Sequence, residues 1–475
     1  MTRIPGRLTA LCAAILPLLP LNAHATNGMN MEGYGPIAAA MGGASMAYDN
    51  GTAAMMNNPA TVGMMNDGDR LDVFFGFLGP DVESEAGGMK AESGGTAYYM
   101  PAVGFVRKRE GLTYGLGMYG QGGMGTEYNG GTFLGMGANL ENRSELSVGR
   151  VIAPLSFNVN DKLTVGGSVD FVWAGLDLRM AMSGAQFGDL ATPGQQNIGT
   201  ASGSLATAVG AFGMPVNYAY FDFSNGSRFS GKARGYGGAA KLGATYKLSK
   251  RLTFGAAYHS ETHLGDMHTD DAKISVNLDN GGTPTNVELT GKIKVNDFQW
   301  PSTYAIGAAF QATDKLLLVG DIKRLNWADT MQDFSMSFTA DQSAGNDLSG
   351  AFGPGADLRG GTLDATLFQR WDDQTVYQIG GAYQVDKQLT LRAGYNYADN
   401  PVPDQYLNAL FPAIVESHIT AGFGYGFTDK QTIDFSLQHA PEVSNTNPGI
   451  PASGIPAVTS RHSQTSFQFI YSYRF

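Results

Sequence analysis

Thr465-Ser466-Phe467-Gln468-Phe469-Ile470-Tyr471-Ser472-Tyr473-Arg474-Phe475 closes the chain, and its reading decides the fold class. The odd positions carry Thr465, Phe467, Phe469, Tyr471, Tyr473 and Phe475; the even ones carry Ser466, Gln468, Ile470, Ser472 and Arg474. Period two means a strand with one apolar, aromatic face. On the edge of a soluble sandwich such a face would aggregate. Against lipid it is stable, and a membrane-crossing strand needs only that one face to be apolar.

The same alternation recurs upstream. Ile433, Phe435 and Leu437 interleave with Thr432, Asp434, Ser436 and Gln438, and Leu389, Leu391, Ala393, Tyr395 and Tyr397 with Thr390, Arg392, Gly394 and Asn396. Leu163 to Trp173 behaves likewise. Short turns precede such strands at Asn160-Asp161-Lys162, Ser249-Lys250-Arg251, Thr313-Asp314-Lys315, Asp386-Lys387 and Thr428-Asp429-Lys430, with Lys108 to Gly111 as a sixth. Asp, Asn and Ser nucleate such turns through bonds to their own backbone. In outer-membrane barrels the short turns are periplasmic and the long loops extracellular. Six turns join seven up-down pairs, which predicts an all-β, 14-stranded antiparallel transmembrane β-barrel over residues 70–475. Long loops are then expected near 79–96, 121–144, 181–231, 266–297, 331–369, 399–413 and 441–463. The third is apolar for a solvent loop, with Phe212, Met214, Phe221 and Phe223 among its residues, and loops of that length usually have a task.

Composition agrees with a barrel. Of 475 residues 65 are Gly and only 15% are charged, against roughly a quarter in a soluble domain. No linker divides the chain. The formal charge of -11 without a basic cluster excludes nucleic acid as a partner. Residues 1–25 read as a secretory signal: Arg3 and Arg7, an apolar core from Leu8 to Leu21, and Ala23-His24-Ala25 as the cleavage site. Cleavage removes the lone Cys12. After Leu21 no apolar run is long enough for a spanning helix. Residues 26–69 break the strand period and are expected to form an N-terminal hatch, or plug, of short helices.

Gly33-Tyr34-Gly35, Met41-Gly42-Gly43-Ala44 and Asn58-Pro59-Ala60, with the Asp-Lys turns, Leu391 to Tyr395 and Asn400-Pro401-Val402-Pro403-Asp404, resemble the FadL family of outer-membrane transporters for long-chain fatty acids, including its TodX-like hydrocarbon channels. The resemblance spans nearly the whole mature chain. It implies a monomeric barrel in the bacterial outer membrane, capture of a hydrophobic molecule between the third and fourth loops, and lateral release through a kink in the third strand. It also implies that the hatch at Asn58, Pro59 and Ala60 packs near that kink. Gly120, Gly122, Gly123 and Gly125, after a strand begun at Leu112, are the expected gate, since glycines that leave the ladder permit a bulge. Phe212, Met214, Phe221 and Phe223 are the candidate groove at the loop mouth. The terminal Phe475 resembles the signal read by barrel assembly machinery, an expected partner during insertion, as lipopolysaccharide and outer-membrane lipid are afterwards.

Other chemistry is weaker. Gly115-x-Gly117-x-x-Gly120 matches a dinucleotide fingerprint in letters, but no helix follows to hold a pyrophosphate. His259 and His263 on one strand would sit roughly 13 Å apart, too far to chelate one ion, and are read as solvated rim residues. Asp434 and His439 face opposite sides of a strand, and no motif pairs His418 with Ser436. No catalytic residue, metal or cofactor is expected. A fatty acid's carboxylate would need a lumenal cation, and parity nominates Arg150, Lys241, Lys323 and Arg392, with Asp170, Asp321 and Asp434 as acids that could neutralise them. The expected function is passive uptake of long-chain fatty acids. The alternatives are an uncharged-hydrocarbon channel, whose cations would be saturated by those acids, and a structural or adhesive barrel without transport.

Overall fold

The computed structural model describes residues 27–227 and 231–475. The signal segment 1–25, with Cys12, lies outside the described residues. The wall strands are β1 (Gly68–Leu78), β2 (Tyr98–Arg109), β3 (Leu112–Tyr128), β4 (Asn142–Asn158), β5 (Leu163–Ser183), β6 (Val216–Phe223), β7 (Ala233–Lys247) and β8 (Leu252–His259). They continue as β9 (Met267–Asn280), β10 (Thr303–Gln311), β11 (Leu316–Leu325), β12 (Gln374–Gln384), β13 (Leu389–Ala398), β14 (Ser417–Gly426), β15 (Gln431–Asn447) and β16 (Val458–Arg474). The last strand pairs antiparallel with the first, Val73 opposite Tyr471, and closes the wall.

The closed antiparallel barrel has 16 strands, which corrects the expected fourteen. The two additional strands come from the third and fourth long loops. β6 pairs with the upper end of β5, from Leu178 opposite Phe223 to Ser183 opposite Tyr218. β9 pairs with β6 and reaches β7 at His268 opposite Arg234. Below this insertion β5 and β7 lie side by side from Leu176–Ala233 down to Leu163–Tyr246. Counting short turns cannot see strands that enter and leave through long loops.

Side-chain alternation follows the pleat. Val73, Phe75, Ile379, Leu391 and Ile419 are exposed where lipid lies, while Ser472, Ser436, Gln378 and Asn396 are buried toward the lumen. The long loops build a canopy of further strands: Thr283–Asn296 pairs with Asp333–Ala340, that strand with Thr362–Phe368, and the latter with Gly199–Ser202.

The hatch fills the lumen with three short helices, Pro36–Ala39, Gly51–Met55 and Pro59–Met64. Pro36 and Pro59 stand in the first turn, where no backbone N–H is missed. Asn58 caps the third helix by accepting from Ala60 N at 3.0 Å. Met41, Met46, Met55 and Met56 are fully buried, flexible side chains suited to an irregular space. The wall accommodates the hatch with glycine. A Cβ on Gly255 would overlap the Met46 carbonyl, and one on Gly394 would overlap the Met41–Gly42 peptide.

Candidate functional site

The ladder opens at one place in the wall. β2 and β3 pair from Arg109–Leu112 up to Val103–Met118 and stop there. Beyond that point Tyr98 to Ala102 remain paired with β1, and β3 remains paired with β4 through a register shift between Gly120 and Gly122. The gap is lined by Met100 and Pro101 on one side and by the four nominated glycines on the other. A bulge of this kind bends a strand and ends pairing on one side.

The first described residues of the chain lie across the gap. Asn30 forms an antiparallel bridge with Gly122, and Gly123 N donates to Met29 O at 3.1 Å. Tyr34 Oη donates to Gln121 O at 2.5 Å, and Gln121 Nε2 donates to Asn30 Oδ1 at 2.9 Å. A Cβ at Gly122 would overlap the Met29 carbonyl and press the Trp300 ring at 3.1 Å. The latch therefore requires glycine where it docks. Asn30, Tyr34 and Gln121 carry no strand-period signal, and sequence reasoning missed them. The clue was Gly33-Tyr34-Gly35, read as hatch but not as gate.

Beside the latch is a cavity of about 290 Å³. Its lining joins Met29 and Met31 of the hatch and Trp173 of β5 to Tyr99 and Met118, which are exposed on the lipid side. Most of the lining is apolar. His462, Gln464, Asn30, Thr126, Ser147 and Glu145 are among its polar members, and Glu32 stands at its hatch end. Burial pushes the Glu32 carboxyl up to about 7, against its own backbone N–H and Lys323, which lower it.

The four nominated cations are all lumenal, and three of them pair with two carboxylates. Arg150 Nη1 is 3.0 Å from Asp170 Oδ2, and Lys241 Nζ contacts the same oxygen. Arg392 Nη1 is 2.7 Å from Asp434 Oδ1. Asp321 instead accepts hatch N–H groups from Ser45 at 2.5 Å and Met46 at 3.0 Å. Lys323 is 5% exposed, and among the described residues no carboxylate lies within ion-pair distance of it.

Two expectations about placement are corrected. Asn58, Pro59 and Ala60 do not pack at the β3 kink. Asn58 Nδ2 donates to Ala244 O of β7 at 3.3 Å, Pro59 abuts Gly166 of β5, and Ala60 O accepts from Ser156 of β4 at 3.3 Å. Proline and the asparagine cap bring that turn close to inward glycines, while the gap is occupied by residues 29–34. His259 and His263 do not share a strand, because β8 ends at His259. His259 is no solvated rim residue either: its Nε2 lies 2.6 Å from Asn57 O of the hatch. In the third loop, Phe212 stacks on Phe352 with ring centroids 4.8 Å apart, and Met214 is half-buried near it. Phe221 and Phe223 of β6 are buried in the core.

The chain matches the family profile described as outer membrane protein transport protein (OMPP1/FadL/TodX) over residues 21–469. It is similar to the crystal structure of the Pseudomonas putida toluene transporter TodX, with 30% identity, 94% of this chain and 99% of that chain covered, and a TM-score of 0.79. The Ralstonia pickettii toluene transporter TbuX gives 28% identity, 94% and 99% coverage and a TM-score of 0.73. The CymD monoaromatic hydrocarbon channel gives 25%, 93% and 98%, and 0.70. A curated Chlorobium limicola protein, described only as uncharacterized and encoded 5' of a phosphoenolpyruvate carboxykinase gene, is 43% identical over 104 residues; the match spans 21% of this chain and 50% of that protein.

Proposed function

This chain belongs to the OMPP1/FadL/TodX family of outer-membrane transport proteins for hydrophobic small molecules, and from that premise we propose that it passes small uncharged aromatic hydrocarbons and releases them sideways through the gap above Val103 and Met118. The observation that carries this reading is the apolar cavity of about 290 Å³ whose lining runs from the hatch to lipid-facing Tyr99 and Met118. An apolar cavity of roughly 150 Å³ takes up benzene, so this one has room for one or two rings. Binding is hydrophobic, at roughly 25 cal/mol per Å² buried. The engagement of Arg150 and Lys241 by Asp170, and of Arg392 by Asp434, supports an uncharged cargo, since none of these cations is left without a carboxylate partner. The toluene and monoaromatic channels among its structural relatives support the same class. Capture begins at the half-buried Phe212, Met214 and Phe352 of the canopy, and the chain works as a monomer inserted by the barrel assembly machinery among lipopolysaccharide.

One observation favours the long-chain fatty acid as a second reading: Lys323, buried and without a carboxylate in ion-pair range, is the cation left to meet a carboxylate head group. The two readings separate in uptake assays with labelled toluene and labelled oleate, in cells lacking other routes across the outer membrane. The hydrocarbon reading expects toluene uptake that survives Lys323→Met and is lost when Gly120, Gly122, Gly123 and Gly125 are replaced by alanine. Oleate uptake abolished by Lys323→Met, with no toluene uptake, would replace it by the fatty-acid reading.

A further inference from the structure

The cavity beside the latch has a smaller neighbour of about 30 Å³, whose lining includes Phe74, Gly76 and the lipid-facing Phe75 and Phe469. The two cavities share Met31 of the hatch, Met100 of β2, and Tyr119 and Gly120 of β3. Tyr119 is held in place: its hydroxyl lies 2.8 Å from Thr52 Oγ1, and its ring meets Phe74 edge-on with centroids 5.3 Å apart. Gly120 has no side chain to move. Met31 follows directly on the docked Asn30, whereas Met100 belongs to the wall at the gap itself. It stands opposite Gly76 of β1, above the point where β2 and β3 part. Its Cβ and Cε lie 3.4 Å from where a Cβ on Gly76 would stand, and its Cγ and Sδ lie 3.7 Å from the same point on Gly120. The side chain therefore lies across the gap with a glycine at either end. An unbranched thioether with three rotatable bonds fills or vacates such a space readily.

We propose that Met100 is the specificity-determining residue of the exit: its side chain bars the gap at rest, turns aside for a single slim ring, and by the space it clears sets the girth of the cargo that leaves. The proposal rests on the aromatic-cargo reading above and assigns the size limit of that route to one side chain. The motion breaks no hydrogen bond between β2 and β3, because the two strands are unpaired at this level. Toluene can pass end-on with its methyl group leading. Mesitylene presents methyl groups around the whole ring and has no slim end. One methylene more or less in an apolar pocket discriminates by about tenfold or more, so truncating Met100 should relax the limit by about tenfold.

The test measures uptake of labelled toluene and labelled mesitylene in the same cells, carrying the wild type, Met100→Ala or Met100→Phe, with the folded barrel confirmed by its heat-dependent mobility. The ratio of the two rates does not depend on how much protein reaches the membrane. The wild type should favour toluene, and Met100→Ala should cut that preference about tenfold by admitting mesitylene. Met100→Phe, with a stiffer and wider side chain, should slow both and raise the preference. If Met100→Ala does not fold, the direction of change in Met100→Phe decides alone. A folded Met100→Ala that keeps the wild-type ratio, with toluene uptake intact, overturns the role of Met100 and leaves the aromatic route standing. No toluene uptake by the wild type overturns the aromatic reading itself.

Discussion

Asn30 of the hatch and Gly122 of β3 face each other as an antiparallel bridge, so the residue that closes the wall gap belongs to the plug and not to the wall. One contact thus couples plug position to the state of the gap. Closure by local backbone pairing is reversible at low cost, since a hydrogen bond of this kind contributes only about 1 kcal/mol net.

Gly122→Val should break the latch without unfolding the barrel. The new side chain would overlap the Met29 carbonyl and crowd Trp300, at a cost of about 1–3 kcal/mol to the docked state. Hydrogen exchange of residues 28–34 should accelerate while exchange in β10 to β16 stays unchanged. Unaltered exchange of the latch would sink the idea.

Asp170→Ala should destabilise the protein more than Arg150→Ala. Asp170 is shared by Arg150 and Lys241 and also accepts from Ser168 Oγ at 2.7 Å. Its loss leaves two buried cations together, a penalty of about 3–5 kcal/mol for a broken buried pair, whereas Arg150→Ala leaves Asp170 facing Lys241. Unfolding rates in denaturant rank the variants, and the reverse order contradicts the assignment.

Gly255→Val should expel the hatch. The Met46 carbonyl and Ala47 occupy the space of its side chain, with Ala47 Cα 3.2 Å from the Cβ position. Limited proteolysis of residues 40–60 reads this directly: rapid cleavage in the variant against protection in the wild type. Gly131→Val, at an exposed turn with nothing nearby and no positive φ, serves as a control for the mutation's bulk.

Latch docking should weaken as pH rises. With the Glu32 carboxyl at about 7 when docked and about 4.3 when hydrated, the undocked state loses its proton first. Docking is therefore strongest below about pH 4, falls through the interval up to about pH 7, and is constant above it. The total change is roughly 4 kcal/mol. Exchange of Asn30 and Tyr34 amides, corrected for intrinsic rates, should rise accordingly between about pH 4 and about pH 7 and level off above it, and Glu32→Gln should flatten the profile.

Much of the wall was legible because its signals are local. The alternation at Thr465 to Phe475 emerges as β16 with Phe469 and Tyr471 toward lipid, and the Asp-Lys turns each precede a strand. The glycines after Leu112 mark the gap because a missing Cβ is visible in one dimension. The partners were less legible. Parity placed Arg150, Lys241, Lys323 and Arg392 in the lumen, but which acid meets which cation depends on register between strands far apart in sequence. Asp321, two residues from Lys323, is committed to the hatch at Ser45 and Met46.

The sequence by itself determined an outer-membrane β-barrel and its short turns, because a pleat with lipid on one face imposes a period of two that any single strand displays. Only the tertiary structure decided the closure with sixteen strands, the latch of Asn30 on Gly122 and the sharing of Asp170 by Arg150 and Lys241. Each of these comes from segments far apart in the chain whose pairing geometry, and not their composition, determines which backbone groups and which charges are satisfied.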